Sequence, residues 1–275
     1  MTLSSLRKKY IFALLLLLLP VHLFATGYPV RGLSSVPLSL YPNVTGTGLR
    51  DCFVNQASLA FATRPSIGIT YYSRFNVSEL AIKSISVIIP TRNSAFAVNY
   101  SNTGFADLMY HSFSASGGMR LSDVIAIGVE AGLEATTSPE TDGRNIIATC
   151  EAGAIFSVTG NFRIGIHIVN PVPNSLRSYP VSSSVSVGAE NTINERVKVS
   201  VLIEKSTMLP LSLSTGINFD LNKSILLKAG YSTATNAFAL TFGYRFGRYD
   251  SELSFMSHNR LGLSSIASIF GTLGK

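Results

Sequence analysis

Apolar residues alternate with small or polar residues along most of this chain, in segments of about ten residues that turn residues separate. The alternation is most regular between residues 161 and 246, where six such segments follow one another. The first of them, Phe162–Ile168, carries an apolar side chain at every even position, with Arg163, Gly165 and His167 at the odd positions. A period of two predicts β-strands whose two faces meet different surroundings.

A less regular alternation precedes residue 160, around residues 67–71, 96–100, 125–133 and 148–156. The stretch Leu80–Ile89 changes phase near Lys83, which we interpret as a β-bulge. Together these segments predict an antiparallel up-and-down barrel of about 14 strands over residues 65–275, with 12 strands as the smaller alternative.

The polar face of the strands indicates what the apolar face contacts. A water-soluble sandwich also alternates, with its polar residues facing solvent. Here the polar positions hold mostly Ser, Gly, Asn and Ala, and 13% of the chain is charged, about half of the usual quarter. The sequence therefore predicts an all-β fold, a transmembrane barrel with large apolar residues toward lipid and small residues toward the lumen.

The first 25 residues have the organisation of a secretory signal peptide. Arg7, Lys8 and Lys9 precede an apolar run that ends at Leu19, and a small residue follows at Ala25. The run is too short for a good transmembrane helix. We therefore expect export to the bacterial outer membrane and cleavage near Ala25. Without residues 1–25 the net charge falls from +7 to +4, and no basic cluster suited to nucleic acid remains.

The connections between the predicted strands differ in length at the two ends of the barrel. Those at 159–161, 191–194, 220–223 and 247–250 are short, which is typical of periplasmic turns. Those at 136–145 and 170–180 are longer and suit the extracellular rim. None is long enough to fold deep into the lumen, so any plug has to come from the N-terminal segment.

That segment, residues 26–64, is rich in Gly, Pro and Ser and lacks sustained alternation before Asp51. Asp51 is positioned to cap a short helix through Thr63, with Phe53, Leu59 and Phe61 as its apolar contacts. Two interpretations remain open: a periplasmic tail, or a hatch that lies in the mouth of the barrel.

Two short patches carry a family resemblance. Residues 48–60 include Asn55, Ala57 and Leu59 in the order of an Asn-Pro-Ala-Gly-Leu motif, with Gln56 and Ser58 as departures. Residues 249–255 and 261–264 form the second patch. Both are similar to the fatty-acid-transporter-like barrels of Bacteroidetes, including the PorV/PorQ group tied to type IX secretion. The resemblance implies a barrel of about 14 strands with an N-terminal hatch, and either passage of apolar solutes or a role in secretion.

Charged residues on the predicted lumenal face are the remaining candidates for function. The basic ones are Arg163, His167, Arg196, Lys198, Lys228 and Arg245, and the acidic ones are Glu130, Glu134, Glu151, Glu190, Glu204 and Asp220. They form either a structural network of ion pairs, which avoids isolated buried charge, or a polar path or patch that binds an anionic head group.

Enzyme chemistry has no support in the sequence. The four histidines lack metal-ligand spacing, and no nucleophile motif or phosphate-binding loop occurs. We expect no cofactor and no metal. Two functions remain: passage of small hydrophobic solutes through a hatch-plugged barrel, or a non-transporting scaffold for secretion or surface proteins. The expected partners are outer-membrane lipid and either hydrophobic solutes or secretion-system proteins.

The two cysteines are predicted to stay unpaired although the periplasm is oxidising. The alternation directs Cys150 to lipid, whereas Cys52 lies in the N-terminal segment, so their side chains cannot converge on the wall. We expect Cys52 to be the more accessible of the two to a water-soluble reagent.

Overall fold

The computed structural model describes residues 44–105, 108–137, 145–171, 182–207, 210–233, 236–258 and 262–274. The predicted signal peptide and the first part of the N-terminal segment lie outside these ranges. The described residues form fourteen strands: β1 Ser66–Ser73, β2 Ile82–Pro90, β3 Ser94–Phe105, β4 Leu108–Arg120, β5 Ile125–Thr137, β6 Asn145–Ser157, β7 Phe162–Val169, β8 Ser184–Thr192, β9 Val197–Ser206, β10 Ser212–Asp220, β11 Ile225–Ser232, β12 Ala237–Phe246, β13 Tyr249–His258 and β14 Gly262–Thr272.

Each strand pairs antiparallel with the next along the chain, and β14 pairs with β1 to close the barrel. The predicted fold class and the count of 14 strands are therefore confirmed, and the alternative of 12 strands is wrong. Closure removes the free sheet edges, so each strand has a hydrogen-bonded neighbour on both sides.

The two faces of the wall follow the predicted alternation. On β12, Phe238 and Leu240 are 67% and 55% exposed, whereas Ala239 and Thr241 between them are buried. Large apolar side chains thus cover the outside of the barrel, and small residues, many of them serines, line the inside. None of the helices in the described residues has the length and apolarity to cross a bilayer.

The β-bulge predicted in β2 is wrong. This strand pairs in an unbroken register with β1 and with β3, so Lys83 points outward and Ile82 and Ile88 point inward. Both isoleucines have apolar partners inside the barrel. Ile82 packs with Tyr72 and Ile266, and Ile88 belongs to a cluster that the N-terminal segment completes. An apolar patch on the lumenal face explains the apparent change of phase.

The connections separate the two ends of the barrel as predicted. Each connection from an even-numbered to an odd-numbered strand contains two to four residues, and these turns lie at the end where Ser66 pairs with Thr272. Connections at the opposite end include the longer ranges 74–81 and 170–183. The chain that precedes β1 therefore reaches the barrel at the end with short turns.

Candidate functional site

Residues 44–65 lie against the inner face of the wall, and we refer to them as the lumenal segment. They contain two short 3-10 helices, Asp51–Phe53 and Gln56–Phe61. The predicted single helix from Asp51 to Thr63 is therefore wrong. Asn55 interrupts it in an extended conformation and caps the second helix, because its side-chain oxygen accepts a hydrogen bond from the Ala57 amide at 3.1 Å.

Asn55 also connects the lumenal segment to the wall. Its Nδ2 donates to the carbonyl of Val44 at 2.7 Å, to that of Ala154 on β6 at 3.4 Å and to that of Ile166 on β7 at 3.3 Å. The side chain is completely buried. An apolar residue here would remove these hydrogen bonds from a completely buried position, so the amide fits this position for a physical reason.

Ala57 and Leu59, the other two residues of the predicted hatch motif, make the apolar contacts. Leu59 packs with Cys52 of the lumenal segment and with Ile88 of β2, in a cluster that also includes two alanines of β3. Ala57 packs with Ala126 of β5 and Ile155 of β6. The three motif residues therefore hold one side of the segment against β2–β7.

A row of glycines on the wall admits the backbone of the lumenal segment. Gly128 on β5 faces Gly118 on β4 and Gly153 on β6 across the strand pairs. A Cβ at Gly118 or Gly128 would overlap the Gln56 carbonyl, and one at Gly153 would overlap the Asn55 side chain. A Cβ at Gly165 on β7 would likewise overlap the Val44 carbonyl. Glycine is needed here because the backbone of the lumenal segment, or the Asn55 side chain in the case of Gly153, approaches the wall too closely for a Cβ.

Arg50 fastens the opposite side of the lumenal segment to β13 and β14. Its guanidinium lies 3.2 Å from the Asp250 carboxylate and 3.3 Å from that of Glu252, and its Nε donates to the Ser268 hydroxyl at 2.8 Å. It also lies over the ring of Phe270, 5.1 Å from the centroid. Arg50 is 5% exposed, so several partners compensate its buried charge.

A third polar contact involves Glu151 on β6. Its Oε2 accepts from Gln56 Nε2 of the lumenal segment at 3.0 Å and lies 3.0 Å from Nε2 of His167 on β7. His167 is buried, and Glu151 is half-buried. Two predicted lumenal residues thus meet, together with a glutamine that the alternation could not identify.

The remaining lumenal candidates separate into three kinds. Arg163 forms an ion pair with Glu190 and donates to the Thr47 hydroxyl of the lumenal segment at 3.1 Å. Lys228 pairs with Glu252 at 2.8 Å. Arg245 lies near Asp220 at 3.6 Å and near Asp250 at 4.0 Å. Arg196 is exposed in the β8–β9 turn and not on the lumenal face, so its predicted position is wrong. Lys198 lines a polar cavity.

Arg50, Asp250 and Glu252 were not among the predicted lumenal residues, although the alternation of β13 carries a signal for the two acids. Asp250, Glu252 and Ser254 share the parity that places side chains in the lumen. No local pattern marks Arg50, because its partners lie about two hundred residues away in the chain.

A polar cavity of about 200 Å³ separates the lumenal segment from the strands β7–β13. Residues 46–51 form one side, and charged side chains of the wall form the other. Asp51 accepts a hydrogen bond from the Gly48 amide at 2.8 Å. Burial raises the pKa of its carboxyl to about 6, and the nearby Lys228 ammonium opposes this shift. The lumenal segment is therefore attached by apolar contacts on one side and borders a charged cavity on the other.

The cysteines are free thiols, with Cys52 1% exposed and Cys150 half-buried on the outward face of β6. The prediction that Cys52 is the more accessible thiol is wrong, since Leu59 and Ile88 cover it. We expect a water-soluble maleimide to label neither thiol in the folded barrel in detergent and both after denaturation. Intact-mass measurement before and after unfolding checks this, and rapid labelling of Cys52 in the folded state would contradict the seating of the lumenal segment.

Neither the protein-family profiles nor the curated proteins contain a match to this chain. Within the described residues, no group of three or more His, Cys, Asp or Glu is placed to hold a metal ion.

Solved structures with a similar fold include a FadL homologue from Pseudomonas aeruginosa, with a TM-score of 0.62 and 11% identity over 90% of this chain and 99% of that one. The toluene transporter TodX of Pseudomonas putida has a TM-score of 0.64 and 10% identity, over 92% of this chain and 100% of that one. The Acinetobacter baumannii outer membrane protein Omp33 has a TM-score of 0.54 and 8% identity, over 76% of this chain and 98% of that one. At these identities the likeness concerns the fold, which is that of closed outer-membrane barrels.

Proposed function

We propose that this protein is exported to the bacterial outer membrane and spans it, with the short turns and the lumenal segment on the periplasmic side. The apolar exterior supports this, because water would make such a surface unfavourable and lipid would not. The difference between the two ends supports the orientation, since barrels of this class have short periplasmic turns.

Within the membrane, we infer that the barrel is a channel for small hydrophobic solutes and that the lumenal segment is its hatch. The observation that carries this proposal is the seat of residues 44–65 inside a 14-strand barrel, where Asn55 bonds to two strands of the wall. The TodX structure, described as a toluene transporter, shares this fold and supports the choice of solute class.

The polar contacts of the lumenal segment support a hatch that can leave its seat. Glu252 contacts Arg50 of the segment but also Lys228 of the wall. Glu151 contacts Gln56 but also His167. When the segment departs, Glu252 keeps Lys228 and Glu151 keeps His167, so neither of these two carboxylates loses all of its partners.

A disulfide that locks the lumenal segment tests the proposal. Ala97 of β3 belongs to the same buried cluster as Cys52, so Ala97→Cys introduces a second thiol into that cluster. Uptake of labelled toluene is measured in cells that express the protein. We expect uptake above that of cells without it, loss of uptake when the Ala97→Cys variant is oxidised, and recovery with reductant. The matched control is Ala97→Cys combined with Cys52→Ala, which cannot form the bond.

Uptake that continues in the locked protein would overturn the hatch. Absence of uptake in every form, with co-purification of another envelope protein, would instead favour the scaffold function. That function accompanies the resemblance to the PorV/PorQ group, which stays a prediction.

A further inference from the structure

We propose that the polar cavity beside the lumenal segment binds a small oxyanion, either a carboxylate or a phosphate, and that Lys198 on β9 is its principal ligand. The cavity lies between residues 46–51 and the wall of β7–β13. Its volume of about 200 Å³ holds several waters, since one occupies about 30 Å³ in the liquid, or one small anion with part of its hydration shell.

The charges that line the cavity do not balance. Five basic side chains face four acidic ones: Arg50, Arg163, Lys198, Lys228 and Arg245 against Asp51, Glu190, Asp250 and Glu252. Four of the bases have acidic partners. Arg163 pairs with Glu190, Lys228 and Arg50 share Glu252, and Arg245 lies near Asp220 and Asp250. The fifth base has no acidic partner among the described residues, whereas Asp220, which partners Arg245, lies outside the cavity lining.

Lys198 is that base. Within the described part of the chain it makes no hydrogen bond and no ion pair, although its side chain is half-buried and lines the cavity. A half-buried ammonium without an anion is unfavourable, because it has lost part of its hydration without gaining a partner. A mobile oxyanion in the cavity would supply the missing charge.

The strand register places further hydrogen-bonding groups near Lys198. Asn218 on β10 lies directly opposite Lys198 on one side and directly opposite Lys228 of β11 on the other. The three side chains form a row of ammonium, amide and ammonium groups along the cavity wall. Thr47 and the peptide groups of the glycine-containing stretch 46–48 face this row. The nitrogen donors of Lys198 and Asn218 suit an oxyanion, and three of the four acids in the lining, Glu190, Asp250 and Glu252, are already engaged by arginine or lysine.

Thermal unfolding of the purified protein in detergent tests the site, with the whole chain and without any flux measurement. Acetate and inorganic phosphate are titrated separately against potassium chloride at constant ionic strength and pH. A ligand that binds only the folded state raises the unfolding temperature in a saturable manner. We expect such a rise with at least one of the two anions, and the two arms identify which oxyanion the site prefers.

The variants assign the effect to Lys198. Lys198→Met is expected to abolish the rise and Lys198→Arg to keep it. The matched control is Lys223→Met, which removes the same charge from the exposed β10–β11 turn and should leave the rise unchanged. The shift of gel mobility on boiling verifies that each variant forms a barrel. Absence of a saturable rise in the unaltered protein, or an equal rise in Lys198→Met, would overturn the proposal. Toluene uptake does not enter this experiment, so the site and the hatch can fail independently.

Discussion

Alanine at Gly153 is expected to displace the lumenal segment from its seat. The new methyl group would overlap the side chain of Asn55, which bonds to β6 and β7. Gly128→Ala should act in the same way, because its methyl group would meet the Gln56 carbonyl. Overpacking of this kind costs about 1–3 kcal/mol, and 1.4 kcal/mol is a factor of ten in an equilibrium. We expect the undocked population to rise roughly tenfold to a hundredfold.

Tryptic cleavage after Arg50 measures this population, because Arg50 is buried while the lumenal segment is docked. The cleavage rate in folded barrels should rise in Gly128→Ala and Gly153→Ala. Gly160→Ala is the matched control, since that glycine lies in the β6–β7 turn and a Cβ there meets nothing within 4 Å. Equal cleavage rates in all three variants would show that the glycine row does not hold the segment.

Arginine at Leu240 is expected to prevent normal insertion into lipid. Leu240 is 55% exposed on the outer face of β12, near the middle of the strand, where it pairs with Ala229 and Phe255. A lipid-facing arginine near the midplane costs about 2–4 kcal/mol, and the cost falls toward the interfaces. Leu221→Arg introduces the same change in the exposed β10–β11 turn and should cost about 0–1 kcal/mol.

Folding into lipid vesicles along a urea gradient gives both free energies. If Leu240→Arg lowers the free energy of unfolding no more than Leu221→Arg does, the outer face of β12 does not contact the hydrocarbon. That result would contradict the proposal that the wall spans a membrane.

The sequence by itself determined the wall of this protein. Alternation has a period of two, and a shift by one residue would exchange the lipid face with the lumenal face. The residues of each strand therefore determine which of its side chains face lipid. Leu240, Ile166 and Cys150 have the predicted facing for this reason. The strand count and the short turns at one end follow from the same local pattern.

Only the tertiary structure decided what lies inside the wall. Asn55, Arg50 and Gln56 contact residues about a hundred or two hundred positions away, and no local pattern encodes such distances. The same contacts explain why two of the predictions were wrong. Ile88 faces inward because it packs against the lumenal segment, and Cys52 of that segment is buried against the wall. The bulge assigned to β2 was an apolar lumenal patch. The lumenal segment packs against the inner face of a barrel formed by its own chain. The contacts between the two depend on how the barrel closes in three dimensions, and the period of the sequence does not determine them.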